Sequence, residues 1–149
     1  MKKNVWGPAI WTLFHVLAHK LKDDSFPTIG KPLFYYIIRI CNNLPCPDCA
    51  RHASLFLNKL NPLLLKSKND LIQTLYVFHN SVNKRTDKPL QPEAILSQYE
   101  NENIINVFNN FIAVFNTHNN KLLADNLQRK FIIRDFKRWF LNNIQHFTR

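Results

Sequence analysis

The sequence predicts an all-α fold that begins with a four-helix bundle. Along most of its 149 residues, apolar side chains recur at the three- and four-residue spacing of amphipathic helices, and the alternation typical of strands is missing. The chain has only two glycines, whereas a turn-rich β fold needs many. Its 46% of hydrophobic residues, including 12 phenylalanines, can fill a core, so the composition excludes a disordered chain.

The first two predicted helices each begin near a proline, a residue that suits the first turn of a helix. Residues 8–22 form the first, with Pro8 in its first turn. The next segment, which holds Pro27 and Gly30, is predicted to interrupt the chain, and Pro32 then opens the second helix. The inward stripes of the two helices are Ile10, Leu13, Phe14, Leu17 and Leu21, followed by Phe34, Ile37, Ile38, Cys41 and Leu44.

Two further helices complete the predicted bundle. The third begins at Pro47, and the fourth follows Asn69 and Asp70. Their inward residues are Cys49, Ala53, Phe56, Leu57 and Leu60 in the third, and Leu71, Leu75, Phe78 and Val82 in the fourth. A proline-containing loop then leads into a short fifth helix that starts near Pro92.

Two strong amphipathic patterns follow residue 100. The first stripe is Ile104, Ile105, Phe108, Phe111, Ile112 and Phe115. Residues 117–120 are predicted to form a turn, and a last helix spans roughly 121–147. Its predicted inward residues are Leu123, Leu127, Ile133, Phe136, Phe140 and Phe147.

The chain is strongly basic, with 20 Lys and Arg against 10 Asp and Glu and a net charge of +10. This balance is compatible with a nucleic-acid or acidic-membrane partner, or with charge spread over a protein that binds one phosphate-bearing ligand. Half of the excess lies in residues 121–149. Neither a Rossmann fingerprint nor a P-loop is present. No signal peptide and no apolar stretch of about 20 residues is recognisable, so we expect a soluble, unsecreted protein.

The sharpest local motif is Cys46-Pro47-Asp48-Cys49, which lies at a predicted helix start. There the positive end of the helix dipole favours a thiolate. The motif is compatible with a redox dithiol, with half a zinc site or with two ordinary buried cysteines. The zinc alternative would take its remaining ligands from one of two pairs of histidines, either His15 with His19 or His52 with His79.

A redox dithiol in this chain points to a bound cofactor. Thioredoxin-like proteins place the same motif after a β-strand, but here the motif lies between helices. The fourth helix carries a second face with His79, Asn83 and Tyr76, and the first helix carries a matching face with Trp11 and His15. Two such faces are suited to hold a flat heteroaromatic group. Basic residues that would neutralise a pyrophosphate follow at Lys84, Arg85 and Lys88.

Each of these residues also has an ordinary structural interpretation. Trp11 is a typical core residue, and a lone histidine such as His15 or His79 is commonly structural. The asparagines and the basic loop are compatible with a solvated surface. Taken together in this order, however, the residues favour a site.

Three motifs in sequence order resemble the Erv/ALR family of FAD-linked sulfhydryl oxidases. They are Trp6-Gly7-Pro8 with Trp11 and His15, then Leu44-Pro45-Cys46-Pro47-Asp48-Cys49-Ala50-Arg51-His52-Ala53, then Phe78-His79-Asn80-Ser81-Val82-Asn83-Lys84-Arg85 with Lys88-Pro89. The resemblance covers roughly residues 4–100. Within this family, the motifs are most similar to those of the compact enzymes of large cytoplasmic DNA viruses.

The resemblance implies FAD held in a four-helix bundle with a short fifth helix, in a homodimer. It implies that Cys49 lies against the flavin and that Cys46 exchanges disulfides with a thiol-containing substrate, a thioredoxin-like or viral structural protein. Electrons would pass through FAD to dioxygen and give hydrogen peroxide, in the host cytoplasm and in the virion. The implied FAD-contacting residues are Trp6, Gly7, Trp11, His15, His19, His52, His79, Asn80, Val82, Asn83, Lys84, Arg85, Lys88 and Tyr99. His19 stands where many relatives have tyrosine.

Two departures from the family pattern shape the remaining expectations. The only other cysteine is Cys41, on an apolar stripe, so we expect a buried thiol and no shuttle dithiol. Residues 1–100 would then form the FAD-binding bundle, and residues 101–149 a helical extension packed on it whose role the sequence does not indicate. The alternative is a zinc-stabilised helical module that uses its basic C-terminal helix to bind nucleic acid.

Overall fold

Six α-helices make up most of the protein, which we describe from a computed structural model over residues 2–116 and 123–149. They are α1 (Lys3–Lys20), α2 (Phe26–Cys41), α3 (Pro47–Asn58), α4 (Lys68–Arg85), α5 (Ile104–Asn116) and α6 (Leu123–Asn142). Short 3₁₀ segments lie at Asp23–Ser25, Pro62–Leu64, Glu93–Asn101 and Ile144–His146. No strand occurs within these two ranges, so the predicted all-α class is confirmed.

Helix α1 is the central element, because α4, α5 and the segment Glu93–Asn101 all pack against it. Helix α2 packs against α3, α4 and α6. The predicted stripe of α1 is fully buried, and so are most predicted inward residues of α4 and α5. The apolar faces of all six helices meet in one continuous core.

The prolines of the first two helices lie elsewhere than predicted. Helix α1 begins at Lys3, and Pro8 lies inside it, where the buried Trp6 anchors the additional turn. Helix α2 begins at Phe26, so the predicted interruption at Pro27 and Gly30 is wrong. Pro27 occupies the first turn, which needs no amide hydrogen from it.

Gly30 has a packing role in α2. A Cβ at this position would lie 2.5 Å from the ring of Phe26, so the ring closes over the glycine. Pro32 is likewise inside α2, and the helix ends at Cys41. Leu44, predicted on the stripe of this helix, therefore lies in the connection to α3 and is partly exposed.

Most of the predicted inward residues of the two C-terminal helices are buried. Phenylalanines of α5 and α6 form an aromatic cluster, in which the rings of Phe108 and Phe140 stack 4.4 Å apart. Helix α6 ends at Asn142, earlier than predicted, and Leu127 is 57% exposed, so its inward placement was wrong. The predicted turn at 117–120 and the placement of the Leu123 side chain lie outside the described residues.

The end of the chain closes against α1. The amide of Thr148 donates to the carbonyl of Lys20 at 2.7 Å, and the amide of Lys22 donates to the carbonyl of His146 at 2.9 Å. The short fifth helix predicted near Pro92 is the 3₁₀ segment that begins at Glu93. None of the helices in the described ranges combines the length and apolar character that a membrane crossing requires.

Candidate active site

Cys46 and Cys49 are joined by a disulfide at the N-terminus of α3, with 5.2 Å between their Cα atoms. Cys46 is the N-cap of the helix, in extended backbone conformation, and its sulfur accepts a hydrogen bond from the Cys49 amide at 3.2 Å. Pro47 takes the first helical position, where its missing amide hydrogen has no consequence. The four-residue motif therefore folds so that both sulfurs lie at the positive end of the helix dipole.

The two sulfurs differ in their access to solvent. Cys49 is only 8% exposed and lines a cavity of about 520 Å³, whereas Cys46 is partly exposed and does not line the cavity. Most of the cavity wall comes from α1, α3, α4, the loop after α4 and the segment Glu93–Asn101, and Cys41 at the end of α2 also lines it. The disulfide thus connects this cavity with the outside of the protein.

Aromatic and imidazole rings form the wall of the cavity. The indole of Trp11 stacks on the imidazole of His79 with ring centroids 4.0 Å apart and planes inclined by 3°. The imidazole of His15 stacks on the ring of Tyr99 at 4.5 Å. Nε2 of His15 lies 3.0 Å from Nδ1 of His79, so the two rings share one hydrogen bond. This wall presents flat surfaces with few free polar atoms.

Both cavity histidines are held in the neutral form. Burial, reinforced by the nearby His79, lowers the pKa of His15 to about 3. Burial also lowers the pKa of His79 to about 4, with a smaller contribution from Lys88. At neutral pH each ring therefore offers one donor and one acceptor nitrogen. Among the described residues, no hydrogen-bond partner reaches the buried Nδ1 of His15.

Asparagines of α4 hold the loop that follows this helix and lines part of the cavity. The Asn80 side chain donates to the carbonyl of Gln91 at 2.9 Å and accepts from the Gln91 amide at 3.0 Å. The main-chain carbonyl of the buried Asn83 accepts from the amide of Lys88 at 2.8 Å. Lys88 and Arg85 line the cavity beside this loop, and we call this part of the wall its basic end.

The structure brings most of the predicted cofactor residues to one cavity. All of them line it except His19, His52 and Lys84. His19 instead packs against the ring of Tyr99 at 5.8 Å, and Nε2 of His52 lies 3.3 Å from the guanidinium of Arg51. Lys84 is exposed on α4.

The cavity also contains residues outside the set that the family resemblance implied. Tyr76 lines it and donates from its hydroxyl to the Gln91 carbonyl at 2.8 Å; its place on the second face of the fourth helix was the available signal. Gln91, Ile95 and Leu96 come from a loop and a 3₁₀ segment, where no regular spacing marks an inward side chain. Cys41 is fully buried, and burial raises the pKa of its thiol.

The described residues give no support to a zinc site. In the two described ranges, no three His, Cys, Asp or Glu side chains are close enough together to hold a metal ion. Cys46 and Cys49 are joined by a disulfide, and His15 is hydrogen-bonded to His79. Nothing in these contacts favours the zinc-stabilised alternative.

Comparison with known proteins agrees with the three sequence motifs. The family model described as Erv1 / Alr family matches residues 8–102. A protein of invertebrate iridescent virus 6, provisionally named FAD-linked sulfhydryl oxidase 347L, is 33% identical over 98 residues, which are 62% of this chain and 88% of that protein. An African swine fever virus FAD-linked sulfhydryl oxidase is 34% identical over 85 residues, or 57% of this chain and 71% of that protein.

A poxvirus protein extends the comparison. The variola virus protein OPG072, also provisionally named a FAD-linked sulfhydryl oxidase, is 32% identical over 90 residues, covering 60% of this chain and 87% of that protein. The matched region contains the disulfide, most of the ring-lined cavity and its basic end. The chain belongs to the Erv1/Alr family.

Proposed function

We propose that this protein is a FAD-linked thiol oxidase, which converts pairs of protein thiols into disulfides through Cys46 and Cys49. The observation that carries the proposal is the placement of one disulfide between two environments. Cys46 is accessible at a helix N-terminus, while Cys49 is buried against a cavity lined by stacked rings. Relatives that share this region are named as oxidases of this kind.

The residues around the cavity fit a flavin nucleotide. The stacked surfaces of Trp11, His79 and Tyr99 suit a flat heteroaromatic ring, and His15 carries a buried ring nitrogen that a bound group would satisfy. Lys88 and Arg85 place positive charge at the other end, where a pyrophosphate would be neutralised. The volume of about 520 Å³ lies within the usual range of cofactor sites.

The reaction begins at Cys46, the accessible half of the disulfide. A substrate thiolate attacks its sulfur, a new bond joins substrate and Cys46, and the Cys46–Cys49 bond breaks to leave Cys49 as a thiolate. The second substrate thiol then displaces Cys46, which releases an oxidised substrate and leaves the enzyme dithiol with two additional electrons. A FAD held in the cavity would supply the acceptor for the two electrons and two protons of the dithiol and their transfer to dioxygen, which yields hydrogen peroxide.

The chain supplies three physical conditions for this chemistry. The N-terminus of α3 favours the thiolate forms of both cysteines, because its dipole is positive there. Burial of Cys49 keeps water and competing thiols away from the inner sulfur. His15 and His79 are neutral, so they line the site without adding positive charge near the rings.

Purification followed by a thiol-oxidation assay tests the proposal. We expect a yellow protein with a flavin absorption band, which consumes dithiothreitol and produces one hydrogen peroxide per disulfide formed. The variant Cys46→Ser should still bind the flavin, because Cys46 does not line the cavity, but should lose turnover of protein thiols. A colourless protein, or one whose cysteine variant turns over protein thiols normally, would refute it.

The partners and setting of the enzyme follow from the family resemblance. We propose a homodimer, which sedimentation analysis would distinguish from a monomer. Its substrate is a separate thiol protein, thioredoxin-like or viral structural, because the sequence contains no further cysteine pair to act as a shuttle. The named relatives are viral proteins, which supports action in the cytoplasm of an infected cell and in the virion.

We also propose that the chain consists of two regions with different roles. Residues 1–100 contain all the cavity-lining residues and would form the oxidase bundle. Residues 101–149 would be an extension that packs on it through α5 and α6.

A further inference from the structure

One side chain of the C-terminal extension reaches the segment that leads into Cys46. Arg129 of α6 is only 8% exposed. Its Nε donates to the carbonyl of Asn43 at 2.8 Å, and its Nη2 donates to the carbonyl of Leu44 at 3.3 Å. On the basis of the proposed function, we infer that Arg129 is a positioning residue that holds Cys46 within reach of Cys49 in the redox cycle.

The location of the two carbonyls explains why an arginine is suited to this contact. They follow the end of α2 at Cys41, in the connection to α3, where a helical partner is not available to them. A guanidinium presents several donors in one rigid plane, so it can bind two successive carbonyls at once. Its positive charge is also favourable near the C-terminus of α2, where the dipole is negative.

The segment between Arg129 and the disulfide is short and constrained at both ends. Only Pro45 separates Leu44 from Cys46, and proline has a fixed φ angle. At the other end, the Cys46 sulfur caps α3 by accepting from the Cys49 amide. When the disulfide is reduced, these two attachments keep the two sulfurs close together.

The attachment of α6 to the bundle does not depend on Arg129 alone. The guanidinium of Arg39 in α2 and the carboxylate of Asp135 in α6 form an ion pair at 2.7 Å. Phe136 and Phe140 of α6 are fully buried in the core. Asp135 therefore provides a matched control, because its replacement weakens the attachment of α6 without removing a contact to the connection before Cys46.

The position of Cys46 affects the equilibrium between the disulfide and the dithiol. Reduction adds two electrons and two protons to the disulfide and gives two thiols, which can then move apart. A fixed Cys46 has a higher effective concentration near Cys49, which favours the disulfide. Loss of the Arg129 contacts should therefore favour the dithiol and raise the reduction potential of the pair.

The test measures that equilibrium in the full-length protein with its cofactor. Wild type, Arg129→Lys, Arg129→Gln and the control Asp135→Asn are equilibrated without oxygen in dithiothreitol redox buffers, and their free thiols are alkylated and weighed. We expect both Arg129 variants to shift the equilibrium constant about tenfold toward the dithiol, about 30 mV in potential. Asp135→Asn should keep the wild-type potential although its melting temperature falls.

The two Arg129 variants separate geometry from charge. Lysine keeps the positive charge but cannot bind both carbonyls with the same planar fork. An unchanged potential in both variants, a shift in Arg129→Gln alone, or an equal shift in Asp135→Asn would overturn the inference. Wild-type peroxide production is measured alongside: its absence would refute the oxidase proposal, whereas active enzyme with unshifted variants would refute only the positioning role.

Discussion

Cys46 and Cys49 have different environments although they belong to one helical turn. Cys46 is partly exposed as the N-cap of α3, while Cys49 lines the cavity. This asymmetry assigns the outer sulfur to the substrate and the inner sulfur to the cofactor side. It also depends on residue-level details, because a shift of one residue along α3 would turn Cys49 away from the cavity wall.

His15 and His79 make the stability of the protein pH-dependent. In the unfolded chain each imidazole takes up a proton below a pH of about 6.5. In the folded protein their pKa values are about 3 and about 4, so the unfolded state binds more protons between these limits. Stability is therefore fully present above pH 6.5 and is lost as the pH falls toward 4.

Between pH 7 and pH 5, we expect the free energy of unfolding to fall by about 2 kcal/mol from His15. His79, which is partly exposed, should contribute less. Urea unfolding at both pH values measures the change. In His15→Gln/His79→Gln most of this difference should disappear, and in His79→Gln alone a smaller part; equal pH dependence in all three proteins would contradict the assignment.

At the scale of elements, α5 is a main packing partner of α1. Phe111 of α5 has no exposed surface, and the neighbouring Ile104 is equally buried. On α6, by contrast, Phe131 is 61% exposed. The two phenylalanines therefore belong to the same extension but to different environments.

We expect Phe111→Ala to lower the free energy of unfolding by about 3 to 5 kcal/mol, because it removes a fully buried ring and leaves a cavity. Phe131→Ala is the matched control and should change it by less than about 0.5 kcal/mol. Denaturant titrations of both variants provide the comparison. Similar losses in the two variants would mean that α5 does not cover the core as described.

The sequence was most informative where helices are regular. Periodic apolar residues predicted the inward faces of α1, α4 and α5, because a helix that buries one face must repeat it every three to four residues. The helix ends were less predictable: Pro8 and Pro32 lie within helices rather than at their starts, since tertiary packing tolerates the lost hydrogen bonds. Leu127 resembles an inward residue by spacing but is exposed.

The cavity was predictable to the extent that its residues belong to motifs. Trp11, His15 and His79 lie on helix faces whose spacing is visible in the sequence. Gln91 joins the site through a loop held by Asn80, and Arg129 reaches its two carbonyls across more than 80 positions of sequence. Contacts of this kind depend on how the helices pack, and a single sequence carries no local signal for them.

At the scale of the whole molecule, the net charge of +10 has more than one origin. Arg85 and Lys88 belong to the basic end of the cavity, and Arg129 to the connection before Cys46. The low glycine content excluded a Rossmann site, but a helical bundle can hold a nucleotide with rings and amides instead. The cysteines, the rings and part of the charge therefore belong to one proposed redox site.

Anaerobic reduction of the purified protein by a dithiol tests most directly whether the cysteines and the cavity form one redox site. The wild-type protein should show a flavin absorption band that bleaches when dithiothreitol is added, because electrons reach the cofactor through Cys49. Cys49→Ser should keep the band but fail to bleach at a comparable rate. A wild-type protein without the band, or a Cys49→Ser variant that bleaches as fast as wild type, would contradict the account.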